Sequence, residues 1–247
     1  HAGGGSTFSG SSNRFTGNFD PSSLRSASLD RTQKRTELAS AIVEVSGHYA
    51  PQANMDPRVM ARVLGAVGVI ESRFGEARQV VSSRFKSSAS GSMHFIDSTG
   101  LGEYRQNIND NYIMTQLVQR VGPVDPQTKA GIMRIKDCDH VAVSWVAKRI
   151  LEVVQRSPDI KDNPEAIFME LYQRHNMGVG AYAIFKKGGL KALLSASPVT
   201  AENNPIFFRG AGSTEDVNGS YMAYGRRAMN ASARLIDEAF AKKNGVD

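Results

Sequence analysis

Residues 56–75 read Asp56-Pro57-Arg58-Val59-Met60-Ala61-Arg62-Val63-Leu64-Gly65-Ala66-Val67-Gly68-Val69-Ile70-Glu71-Ser72-Arg73-Phe74-Gly75. Asp56 can cap a helix and Pro57 suits its first position, so the stretch predicts a helix that opens there. It should run to about Phe74 and stop at Gly75. At about 100° per residue, Met60, Leu64, Val67, Glu71 and Phe74 fall on one stripe. A carboxyl group at the end of an apolar stripe is expected to be desolvated, which disfavours its charged form. The negative end of the helix dipole pushes in the same direction. A carboxyl kept protonated near neutral pH is what general-acid chemistry requires. The plainer reading is a surface glutamate at a frayed helix end, steadied by Arg73 or Arg78.

Outward from this stretch, helical periodicity recurs at residues 34–49, 108–121, 126–136, 139–156, 164–174, 177–187 and 220–243. Asp139 is a plausible cap for the apolar stripe of Val143, Val146, Ile150, Val153 and Val154. Residues 82–98 are rich in Ser and Gly and predict a short hairpin or an irregular loop. Thirteen of the first thirty residues are Ser or Gly, too few large apolar groups to offset the cost of ordering them. The expectation is therefore a flexible tail over 1–30 and one mainly α domain over 31–247. A small irregular or β loop region is expected to line a cleft. The chain opens with His1, which suggests a fragment or a processed chain.

Composition narrows the function classes. A net charge of +6 suits an anionic partner, but no basic run exceeds two residues and no nucleic-acid motif occurs. No apolar run approaches the roughly 18–20 residues of a membrane span. The single cysteine, Cys138, excludes an internal disulfide, and its acidic neighbours Asp137 and Asp139 disfavour a thiolate. His94, His140 and His175 show neither HExxH spacing nor a matching carboxylate pattern, so no metal is expected.

The segment Val69-Ile70-Glu71-Ser72-Arg73-Phe74-Gly75 resembles the Glu-Ser motif of the lytic transglycosylase branch of the lysozyme superfamily. Ala89-Ser90-Gly91-Ser92-Met93-His94-Phe95 resembles that family's Gly-x-Met-Gln signature, with Thr99 where a Thr usually follows. Leu171-Tyr172-Gln173-Arg174-His175-Asn176-Met177-Gly178 resembles its Tyr-Asn-Ala-Gly segment. Ser220-Tyr221-Met222-Ala223-Tyr224 offers the late tyrosine that precedes the final helix. The four follow the family's order. The departures are His94 in place of Gln, His175 in place of Tyr, Asp97 in place of Pro, and a long insert between the second and third motifs.

The resemblance implies a lysozyme-like helical domain that cleaves peptidoglycan glycan strands without a cofactor. Glu71 would protonate the bond between N-acetylmuramic acid and N-acetylglucosamine, then assist closure of a 1,6-anhydro ring. Ser72, Met93, His94, His175, Asn176 and Tyr224 would line the groove. Met93 and Tyr224 are also readable as packing, and Asn176 as a helix-junction residue. The site of action would be the periplasm or cell envelope, with a virion or secretion machine as another setting and other components of it as partners. Three alternatives stay open: a hydrolytic lysozyme using a second carboxylate such as Asp97, a wall-binding or structural protein without activity, and a nucleic-acid-binding helical module suggested only by the charge of +6.

Overall fold

The computed structural model describes residues 28–79 and 87–246. Helix α1 (Gln33–Tyr49) leads through a 3-10 turn to α2 (Pro57–Ser72). Then follow α3 (Asp97–Gln106), α4 (Asn111–Arg120), α5 (Lys129–Lys136), α6 (Asp139–Arg156) and α7 (Pro164–Met177). The chain closes with α8 (Val179–Ala196), α9 (Pro198–Asn203), α10 (Pro205–Phe208) and the long α11 (Thr214–Lys243).

Helix α2 begins as its sequence predicts: the Asp56 side chain accepts from the Arg58 N–H, and Pro57 takes the first turn. It ends earlier than Phe74, because Arg73, Phe74 and Gly75 all adopt positive φ. The Arg73 N–H returns to the carbonyls of Gly68 and Val69, satisfying groups that a helix end leaves open. Every residue from Val63 to Ser72 is buried. A helix apolar on all sides belongs inside a bundle, and α2 is packed by α11, α1, α7 and α6. The buried apolar residues join into one continuous core.

Small residues let the helices approach. A Cβ on Gly65 would lie 2.7 Å from the Ser232 hydroxyl of α11. A Cβ on Gly225 would overlap the Phe168 ring of α7. Gly225→Ala is accordingly expected to destabilise the protein by about 1–3 kcal/mol through overpacking, measurable by urea unfolding.

The mainly helical expectation holds, but the expected β region does not. No β-strand occurs among the described residues, which show only isolated bridges between Gln79 and Ser90 and between Ser90 and Phe95. Residues 82–86 of the expected hairpin lie outside the described residues, as do residues 1–27 of the expected tail. Residues 90–95 form a tight turn instead, with Gly91 and His94 at positive φ and the Ser90 N–H donating to Phe95 O at 3.2 Å. Lys136, fully buried at the end of α5, fixes this turn: its Nζ donates to Ser88 O at 2.6 Å, Phe95 O at 3.1 Å and Asp97 Oδ1 at 2.6 Å. Ser88 O and Phe95 O thus serve an ammonium group, and Phe95 O the Ser90 N–H as well.

Other expectations shift as well. Residues 28–30, assigned to the tail, are already held, with the Leu29 N–H on Ala231 O at 3.0 Å. Cys138, not Asp139, occupies the N-cap of α6. Asp139 instead takes both terminal nitrogens of Arg78, at 2.6 and 3.0 Å. Tyr221 and Tyr224 lie within the final helix, not before it.

Candidate active site

Glu71 sits on the last turn of α2 and is 1% exposed. The Tyr172 hydroxyl of α7 donates to its Oε1 at 3.0 Å, and its Oε2 meets no hydrogen-bond partner among the described residues. Burial raises the carboxyl, the Tyr172 hydrogen bond pulls it only partly back, and the balance lies at about 8. The carboxyl is therefore protonated at neutral pH. The surface reading beside Arg73 or Arg78 fails, since Arg78 is committed to Asp139 and no cation pairs with Glu71 among the described residues.

Aromatic rings hold this carboxyl in place. Phe168 stacks on Tyr172 with centroids 4.4 Å apart, and His175 meets Tyr172 edge-on at 5.8 Å. Tyr224, 4% exposed on α11, is held well above the usual phenol range by burial first and by its nearness to Glu71 second. Phe207 of α10 meets Tyr224 edge-on at 5.2 Å and stacks on Tyr221 at 3.8 Å. Neither a family model, nor a curated protein, nor a solved structure matches the chain. The lysozyme-like expectation thus rests on short motifs, and the chemistry has to be argued from this site.

The other expected groove residues divide. Tyr224, His175 and Asn176 belong to the helices around Glu71. The Asn176 amide lies beside the buried Tyr221 hydroxyl. Ser72 is spent on the helix end: its hydroxyl donates to Gly68 O at 3.1 Å and accepts from the Gly75 N–H at 2.8 Å. Met93 is fully buried in the core. His94 holds its own turn, with Nε2 2.6 Å from Ala77 O. Burial first, and then Lys136, lower its pKa, so it is neutral and donates from Nε2 to that carbonyl. Burial pushes the Cys138 thiol up, which speaks against a thiolate nucleophile.

Asp97, the candidate second carboxylate, opens α3 and pairs with Lys136 at 2.6 Å. Burial and Tyr172 account for the shift of Glu71, with no acidic neighbour contributing among the described residues. The site therefore presents one carboxyl and a phenol, not a carboxylate pair.

Tyr172 is the hydrogen-bond partner of Glu71 that motif reading passed over. It lies three positions before His175, where the family pattern places its tyrosine, and so faces nearly the same way one turn earlier on α7. Tyr172→Phe removes a hydrogen bond that favours the carboxylate, so Glu71 should titrate higher still. The alkaline limb of a pH–rate profile is expected to move upward, with about a tenfold loss in rate if that bond contributes ~1.4 kcal/mol in the transition state.

Proposed function

We propose that the protein is a peptidoglycan lytic transglycosylase, cleaving between N-acetylmuramic acid and N-acetylglucosamine with Glu71 as sole acid and base. The observation that carries this reading is a buried, protonated carboxyl without a second acid beside it among the described residues. Glycoside hydrolysis ordinarily uses two carboxyl groups, one to protonate the leaving oxygen and one to attack or to activate water. A single carboxyl suits a reaction whose nucleophile comes from the substrate.

In that reaction Glu71 gives its proton to the glycosidic oxygen as the C1–O bond breaks. The resulting carboxylate, steadied by Tyr172, takes a proton from the muramyl C6 hydroxyl while O6 bonds to C1. A 1,6-anhydro end forms, no water is consumed and Glu71 regains its proton. At 1% exposure, the carboxyl meets a glycan only when the groups around it part. The net charge of +6 suits an anionic wall. The cell envelope is the proposed site of action, with a virion or secretion machine as the carrier alternative. None of the described helices is long and apolar enough to cross a membrane.

The hydrolytic reading would need Asp97 to leave Lys136. Mass spectrometry of the ends released from purified peptidoglycan tests this choice. Wild type and Asp97→Asn are both expected to yield anhydro ends. Reducing ends that disappear in Asp97→Asn would replace the transglycosylase with a hydrolase. An absence of soluble products from wild type would leave a wall-binding or structural role.

A further inference from the structure

Helices α8, α9 and α10 form an outer layer whose inner face is well packed. Phe185, Leu190, Leu193, Phe207 and Phe208 are buried. The layer bends at Gly189 (φ 71, ψ −166), where the Leu190 N–H donates to the Thr214 hydroxyl of α11 at 2.9 Å. Its exposed residues include large hydrophobic ones. Val179 is 47% exposed, Leu194 44%, Val199 53% and Ile206 43%. These are four of the seven exposed large hydrophobic residues among the described residues, and they fall within one run of 28 positions.

Charge on this layer is mainly positive, with exposed Glu202 of α9 as its one acidic residue. No acidic residue occurs between Glu170 and Glu202. Lys186, Lys187, Lys191 and Arg209 are exposed. Lys186 pairs with Glu170, whereas Lys187 and Lys191 have no ion pair among the described residues. On the second half of α8, Lys191 and Leu194 are three positions apart, which sets a cation next to an exposed apolar group.

We propose that the outer face of α8–α10 docks on an anionic lipid surface. Aliphatic side chains interleaved with uncompensated lysines match an interface with apolar depth and anionic headgroups. Protein–protein interfaces favour aromatic residues and arginine and are depleted in lysine. The exposed large hydrophobics here are all aliphatic and three of the four exposed cations are lysines. Docking there is independent of the chemistry at Glu71, and its test needs no activity.

The test is flotation of the full chain with vesicles of phosphatidylglycerol and phosphatidylcholine, compared with phosphatidylcholine alone. Wild type is expected to float with the anionic vesicles only. Leu194→Ser/Val199→Ser and Lys187→Glu/Lys191→Glu are each expected to lower partitioning at least about tenfold, with circular dichroism unchanged. Three results would overturn the proposal. The first is no flotation of wild type. The second is flotation undiminished in Leu194→Ser/Val199→Ser, which reports adsorption through overall charge. The third is a dimer in solution that those two substitutions abolish, which assigns the face to a second copy of the chain.

Discussion

Glu71→Gln is expected to fold, to lose glycan cleavage by about 10²–10⁴-fold or more, and to be more stable than wild type above neutral pH. The stability effect follows from linkage. Glu71 titrates at 4.5 when unperturbed and near 8 in the folded protein, so the folded state retains a proton that the unfolded chain has released. Its contribution is fully present below pH 4.5 and is lost as pH rises through 8, a decline of roughly 5 kcal/mol over that window. The glutamine mimics the neutral acid and abolishes the slope. Melting temperatures of the two proteins should therefore agree near pH 4.5 and separate by on the order of 10 °C at pH 8. Comparing the variants isolates Glu71 from the other titrating groups. His94 and His140, whose pKa values are lowered by burial, act in the opposite sense, losing stability as pH falls.

Lys136→Met is the second large expected effect. Its ammonium is fully buried, and its three acceptors hold the turn that carries Met93 and His94. Methionine keeps much of the volume but leaves Ser88 O and Asp97 without the lysine donor, and Phe95 O with the Ser90 N–H. Breaking a buried pair costs about 3–5 kcal/mol. The Asp97 side chain is 33% exposed, so the lower end is expected, about 3 kcal/mol by urea unfolding. Asp97→Asn should cost less, because the two carbonyl bonds to Lys136 survive.

Local signals were the legible part of this chain. Asp56-Pro57 opens α2 because capping involves only neighbours, and the stripe ending at Glu71 foretells a desolvated carboxyl because periodicity shows which residues share a face. Tyr172 bonds Glu71 from 101 positions away, and no local pattern pairs them. Helices α9 and α10, at six and four residues, are too short for a 3.6-residue period to appear. The Ser/Gly-rich segment before α3 reads equally as hairpin or turn. Lys136, 41 positions beyond Phe95, decides for the turn, and a buried lysine cannot be told from a solvated one in sequence. Burial also turned two expected groove residues, Ser72 and His94, into supports for backbone turns, although their types fitted the motifs.

The most direct test of Glu71 as acid and base is mass spectrometry of fragments released from purified peptidoglycan by wild type and Glu71→Gln at pH 6. Anhydromuropeptides from wild type and none from a folded Glu71→Gln protein are predicted. Equal release by the two proteins, whatever the ends, would contradict the account.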